Sequence, residues 1–247
     1  MSENKKKLLI ITGVAGMVGS TLLPKMLSKK NSIVVGIDNF RLGKHKFIKK
    51  FLNKKNFFFL KADLNKKINN SKFKKILKSS RLEEVWLLAA NSDILAGVND
   101  PEVDYRDTFL TTFNFINLLK PFLNNNTKLI FTSSSAIYGN IGSVIHEKSS
   151  PLMPESNYGA MKLAMEGYIS AYSFSNKVKS FIFRFPNVIG TNLTHGVIYD
   201  LSRKILSAAK YLKVLGNGEQ CKPYSSAKEV IDCMMYFTKI KNSKLVN

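Results

Sequence analysis

The chain has 247 residues, 45% of them hydrophobic, which fits one large α/β domain, or one domain plus a small lobe, with a real core. A formal net charge of +21 would raise nucleic acid or an acidic membrane surface as a partner. The basic residues are overwhelmingly Lys, spread along the chain with abundant Asn, Ile and Phe, so they read as solvated faces; neither nucleic acid nor a membrane is expected, only a general attraction for anionic ligands.

The first strand is the apolar run Leu8 to Ile11, which stops at Thr12-Gly13. A helical period resumes through Val18, Leu22, Leu23, Met26 and Leu27. Three glycines connect the two. Gly13 permits a tight turn, Gly16 lets the backbone approach a pyrophosphate, and Gly19 lets the helix lie close to its strand; the helix N-terminus offers free N–H groups and a dipole favourable to anions. A second strand, Ile33 to Ile37, ends on Asp38, 19 residues beyond Gly19. A carboxylate there can hydrogen-bond the ribose hydroxyls of NAD and repels the 2′-phosphate of NADP. The alternative is an ordinary Gly-rich turn with a surface Asp.

Asn39 to Gly43 reads as a turn, Lys44 to Leu52 as a basic helix, and Asn56 to Leu60 as the third strand. Asp63 then either reaches the adenine edge of a dinucleotide or caps the helix expected over Lys66 to Ser80. The fourth strand, Glu83 to Ala90, is continuously apolar, as a strand covered on both faces should be, and ends on small residues and Asn91-Ser92-Asp93. Asp100-Pro101 opens a long helix, Glu102 to Leu123. The fifth strand, Thr127 to Thr132, runs into Ser133-Ser134-Ser135, which places hydroxyls in the crevice where open α/β sheets bind ligands. A further helix begins within Pro154 to Lys162 and reaches about Ser175. Tyr158 and Lys162, four apart, share one of its faces. A phenol of pKa about 10 is a poor base, but an ammonium within about 5 Å and a positive nicotinamide nearby favour phenolate, so that Tyr158 can exchange a proton with a substrate hydroxyl. Tyr-x-x-x-Lys alone is common by chance; behind a Gly-rich turn and a serine-tipped strand it becomes informative. Cys221 and Cys233 lie outside metal-ligand spacing, so no metal site or disulfide is expected. No run approaches the roughly 18 apolar residues of a membrane span and no signal-peptide core precedes the first strand, so a cytoplasmic location is expected.

In this order, Thr12 to Gly19, Asp38-Asn39, Asp63, Leu88-Ala89-Ala90, Ser133 to Gly139, Tyr158 to Lys162 and Arg184 to Gly190 resemble the extended short-chain dehydrogenases/reductases, specifically their NAD-dependent nucleotide-sugar epimerase and dehydratase group. The resemblance implies a Rossmann-type doubly wound parallel sheet over residues 1–185 and a small substrate lobe over 186–247. It implies NAD held by Gly13, Gly16, Met17, Val18, Gly19, Asp38, Asn39, Asp63 and Leu64, by Leu88, Ala89 and Ala90, and by Tyr158, Lys162 and Pro186. Ser134 becomes the catalytic hydroxyl, Tyr158 the acid/base, and Lys162 the residue that holds the nicotinamide ribose and tunes the tyrosine. The substrate would meet Ser92, Ser134 and Ser135, with Asn187 at its diphosphate and Lys222, where many relatives carry Arg, near the nucleotide phosphates; His195 either touches sugar or phosphate or is a plain loop histidine.

Departures narrow the expectation. Dehydratases of the group follow the catalytic hydroxyl with an Asp-Glu pair, and here Ser135 and Ala136 stand there, which leaves water elimination without its acid and base. Thr108 stands where Asn is usual, and Leu87 where His is frequent. The expected activity is epimerisation of a nucleoside-diphosphate sugar at C4 through a 4-keto sugar; the rivals are a reductase or dehydrogenase of such a sugar and a non-catalytic dinucleotide-binding protein. A homodimer is expected through the helices Glu102 to Leu123 and Tyr158 to Ser175, with Phe109, Phe113 and Phe115 on the shared face. The stretch 186–247 is short for a lobe that covers a nucleotide and a sugar, and Lys244 to Asn247 reads as a strand cut short. NAD is therefore expected to be held well and the sugar nucleotide weakly, in a truncated product or in a short member whose missing wall comes from another subunit.

Overall fold

The computed structural model describes residues 5–240 apart from 143, 208–210, 213 and 215. The apolar runs form β1 (Lys7–Thr12), β2 (Ser32–Asp38), β3 (Phe57–Lys61), β4 (Arg81–Leu87) and β5 (Lys128–Ser134). A sixth strand, β6 (Lys179–Phe185), is built on Ser180-Phe-Ile-Phe183, an apolar run without a counterpart among the expected elements. All pair in parallel in the order β3-β2-β1-β4-β5-β6. Side chains alternate between the two faces, so Leu8, Ile10, Val35 and Ile37 enter one core cluster and Leu9, Ile11 and Val34 the other. Both faces are closed by helices, as the all-apolar strands require. The order reverses between β1 and β4, and at such a point the carboxyl ends of neighbouring strands leave a crevice between their loops.

The helices are α1 (Met17–Leu27), α2 (His45–Ile48), α3 (Ser71–Ser79), α4 (Ile94–Asn99), α5 (Pro101–Asp104), α6 (Thr111–Leu119), α7 (Asn157–Asn176), α8 (Val197–Leu206) and α9 (Ala227–Phe237). The basic helix expected over 44–52 shrinks to α2 and a 3₁₀ turn, Lys49–Phe51. Its start has no side-chain cap, and like charges at Lys46 and Lys50 oppose a longer helix. α3 starts later than expected because Asn70, whose side chain accepts from Phe73 N, is the cap. The long fourth helix starts at Asp100-Pro101 as expected, but Tyr105–Leu110 is π-helical between α5 and α6. Phe115, expected on a shared outer face, is 1% exposed in the core, while Phe109 and Phe113 stay half-buried on its flank.

Beyond β6, a two-stranded parallel sheet pairs β7 (Asn187–Ile189) with β8 (Tyr224–Ser226). α9 has a full capping box, in which Ser226 and Glu229 satisfy each other's backbone N–H. It packs through Val230, Ile231 and Met234 on the core face that holds Leu22, Leu23 and Met26 of α1. The expected strand at Lys244 to Asn247 lies outside the described residues. No helix among the described residues is long and apolar enough to cross a membrane.

Candidate active site

The glycine turn fits the dinucleotide expected of it. Gly13 has φ +67°, and a Cβ there would lie 3.0 Å from the Ala89 backbone. A Cβ on Gly19 would lie 2.2 Å from the Gly13 carbonyl oxygen, so α1 approaches β1 this closely only with glycine. Gly16 differs: its Cβ would meet only the Gly13 oxygen, at 3.3 Å, which leaves the turn open on its outer side. α1 is capped by Gly16 without a side-chain acceptor and has no acid in its first turn, so the N–H groups around Met17 and Val18 offer donors to an anion. Thr12 fixes this turn against β4: its hydroxyl donates to Trp86 O and accepts from Leu88 N and Ala89 N.

Asp38 ends β2, 8% exposed. Its carboxylate accepts from Ala15 N at 2.9 Å and Phe40 N at 2.7 Å, so it braces the glycine turn as well as facing the crevice beside Asn39. Burial raises its pKa, and the two backbone donors oppose that rise. Asp63 accepts from Asn65 N in a local turn, and α3 is capped by Asn70, so Asp63 is not that helix's cap. Leu64 beside it is buried, and Leu88, Ala89 and Ala90 lie half-buried just beyond β4. All these residues sit at the carboxyl ends of β1 to β4.

Ser134 is the last residue of β5. Its hydroxyl accepts from Ala136 N at 3.1 Å. α7 is capped by Ser156, which accepts from Gly159 N, so Tyr158 falls in the first turn. A Cβ on Gly159 would lie 2.5 Å from Ala136 O, so the helix start is pressed onto the turn after Ser134, which brings the Tyr158 side chain into the neighbourhood of the Ser134 hydroxyl. Lys162, 2% exposed, donates to Thr132 O at 2.7 Å and places Nζ 5.6 Å from the Tyr158 ring centre.

Burial pushes the Tyr158 phenol up to about 12, with the Ser134 hydrogen bond pulling against it and Asp104 adding to it. Burial also takes Lys162 down to about 7, with Glu166 and Asp104 opposing. In the protein alone both groups are therefore driven toward their uncharged forms, burial being the largest cause for each. A stability prediction follows for Lys162. Its folded pKa lies below the unfolded value of 10.5, so the unfolded chain binds more protons between about pH 7 and 10.5, and stability rises with pH across that window. Lys162→Met should remove a rise of up to about 1.4 kcal/mol per pH unit. Parallel denaturation profiles of the two proteins over that range would contradict the assignment.

Below this cluster, Arg184 donates through Nη2 and Nε to the Glu166 carboxylate at 2.7 and 3.0 Å, and through Nη1 to the Tyr138 hydroxyl at 2.9 Å. This ties β6 and α7 to the turn after β5. Asp104 is 1% exposed; its Oδ1 accepts from Asn91 Nδ2, and its Oδ2 has no hydrogen-bond partner among the described residues. Thr108, which stands where Asn is usual, is fully buried and its hydroxyl accepts from Asn91 N.

The expected substrate residues are more dispersed. Ser135 opens the 3₁₀ turn directly after Ser134, and Ser92 is exposed in the loop after β4. Pro186, half-buried, links β6 to β7. Asn187 opens β7, opposite Tyr224, and donates to Pro223 O at 3.4 Å, so it lies beside the segment of the exposed Lys222. His195 shares a hydrogen bond between its Nδ1 and the Thr194 hydroxyl, just before α8. Thr12, Asn91, Asp104 and Asp107 hold the surrounding loops through partners far away in sequence, and none of them was among the expected site residues. Only Thr12 carried a local signal, as the hydroxyl residue opening the glycine turn.

The chain matches the NAD dependent epimerase/dehydratase family over residues 9–247. It is 27% identical over 231 residues to a UDP-glucose 4-epimerase of Mycolicibacterium smegmatis, covering 92% of this chain and 71% of that one. Among solved structures, it is similar to the UDP-glucose 4-epimerase of Thermus thermophilus in complex with NAD, at 25% identity and a TM-score of 0.79, covering 98% of this chain and 76% of the other. It is also similar to a UDP-N-acetylglucosamine 4-epimerase of Methanobrevibacter ruminantium in complex with UDP-N-acetylmuramic acid, at 25% identity and a TM-score of 0.80, covering 99% and 76%.

Proposed function

Since the chain belongs to the NAD-dependent epimerase/dehydratase family, we propose that it interconverts the C4 epimers of a nucleoside-diphosphate sugar, with Ser134, Tyr158 and Lys162 at the reacting centre. The observation that carries this reading is the seating of the Tyr158–Lys162 turn of α7 on the carboxyl end of β5 at Thr132 and Ser134, in the same sheet whose β1 ends in the uncapped glycine turn. When bound, NAD supplies a hydride acceptor and donor and a positive ring whose field favours phenolate. The Tyr158 oxygen takes the proton of the C4 hydroxyl and returns it, and the Ser134 hydroxyl orients that oxygen and the substrate hydroxyl. Lys162, anchored on Thr132 O, holds the nicotinamide ribose. Residues 135 and 136, Ser and Ala, supply no acid or base for elimination. Asn187 and Lys222, neighbours through β7 and β8, are assigned to the substrate's phosphates, with Ser92, Ser135 and His195 nearer the sugar.

A panel of UDP-, GDP- and dTDP-sugars tests the reading. One of them should stabilise the protein and turn over without net reduction of NAD. Stoichiometric NADH formation would make the protein a dehydrogenase instead, and NAD binding without turnover of any sugar would make it a binding protein.

The same reading includes a homodimer through α6 and α7. Tyr105, Phe109, Phe113, Tyr168 and Tyr172 form a continuous run of ring contacts, with centroids 6.1, 5.8, 4.9 and 6.1 Å apart in turn, on the flank of both helices. Sedimentation at micromolar concentration should give a dimer; a monomer would contradict the pairing.

A further inference from the structure

Arg41 lies three residues after Asp38, where a free guanidinium would offset the repulsion between that carboxylate and the 2′-phosphate of NADP. The turn that carries it is fastened to the glycine turn: Lys44 N donates to Ala15 O at 3.0 Å, and a Cβ on Gly43 would lie 2.9 Å from the Ala15 backbone. Arg41 is therefore held beside the ribose and pyrophosphate end of the crevice. Its guanidinium is already engaged, because Nη1 makes an ion pair with Asp107 in the π-helical segment beyond β4. Asp107 is the fixed member of this pair. Its carboxylate, 13% exposed, also accepts from Arg106 Nε at 3.2 Å and Nη2 at 3.3 Å, and from Asn65 Nδ2 at 3.5 Å. Arg41, with 49% of its side chain exposed, is the member with room to turn. The contact thus spans the loops after β2, β3 and β4.

We propose that Asp107 is a specificity-determining residue, which keeps the site selective for NAD by holding the Arg41 guanidinium away from the position of a ribose 2′-phosphate. Asp38 alone is an incomplete guard: both its oxygens already accept backbone N–H groups. Arginine is the side chain best shaped to grip a phosphate through two parallel N–H donors, so the nearest Arg decides whether the repulsion from Asp38 is cancelled. With Asp107 in place, Arg41 and Arg106 share one carboxylate. Without that charge Arg41 loses its ion-pair partner and can swing onto the added phosphate.

The inference rests on the assignment of the Gly13–Gly19 turn and Asp38 to a dinucleotide, and the test separates the two. The full chain is titrated calorimetrically with NAD and with NADP, as wild type, Asp107→Asn, Arg41→Ala and the double variant. Asn keeps the shape and the Asn65 contact of Asp107 while removing its charge. The wild type should bind NAD more tightly. Asp107→Asn should raise the NADP:NAD affinity ratio at least about tenfold, equal to about 1.4 kcal/mol, and the double variant should return it to the wild-type value. Arg41→Ala alone should leave the ratio within about threefold. An unchanged ratio in folded Asp107→Asn, or a gain that survives removal of Arg41, would overturn the proposal while leaving NAD binding intact. If Asp107→Asn fails to fold, Arg41→Ala decides alone: a selective tenfold loss of NADP affinity would mean that Arg41 is already free for the phosphate, and the proposal falls. A wild type that binds neither dinucleotide overturns both the proposal and the assignment beneath it.

Discussion

Tyr158→Phe is expected to lower kcat by at least about a hundredfold, the lower range for loss of a positioned general acid or base, while NAD binding survives. The substitution removes one oxygen and keeps the ring, so the aromatic contact with Lys162 and the seating of α7 on Ala136 persist. What is lost is the phenol oxygen, the proton carrier in the proposed reaction. With the phenol pushed up to about 12, Tyr158 is protonated throughout the neutral range in the protein alone, so its base form depends on the bound positive ring. Activity should therefore respond to Tyr158 far more strongly than dinucleotide affinity does. Near-normal turnover of the variant on the true substrate would remove Tyr158 from the reaction.

Glu166→Gln is expected to cost about 3–5 kcal/mol of stability, the range for breaking a buried ion pair by removing one partner. Arg184 and Glu166 are 9% and 7% exposed, and the guanidinium meets the carboxylate through two donors. Neutralising Glu166 strands the Arg184 charge between β6 and α7 and loosens its hold on Tyr138. Replacing both partners with apolar residues of similar size, as in Glu166→Leu/Arg184→Met, should recover much of the loss, because the desolvation of both ions then disappears. Trp86, the single tryptophan and fully buried, reports the transition. A loss below about 1 kcal/mol would mean that water reaches the pair.

What the sequence made legible is what local spacing controls. The strand, three glycines, helix and acidic strand end are consecutive, and each has one backbone solution, so Gly13 to Gly19 and Asp38 fall where the spacing places them. The serine-tipped β5 and the Tyr158–Lys162 helix face follow from period and capping in the same way. Helix bounds were less legible where charge or a competing cap intervened, as at Lys46–Lys50 and Asn70. α4 is too short to show a period and exists through the Asp93 cap, which accepts from Ala96 N. The electrostatics were not legible at all. That Tyr158 and Lys162 are driven toward their neutral forms depends on burial beneath segments distant in sequence, and that Arg41 is engaged depends on Asp107, whose place at the crevice is fixed only when β2, β3 and the π segment assemble.

The proposed reaction removes and returns a hydride at one sugar carbon without net oxidation. The most direct measurement uses the nucleoside-diphosphate sugar that turns over, deuterated at C4, with unlabelled NAD and product analysis by NMR. The expected product is the C4 epimer with deuterium retained at C4 and no accumulation of reduced dinucleotide. Exchange of the label into water, or transfer of it to NAD in proportion to sugar consumed, would contradict it.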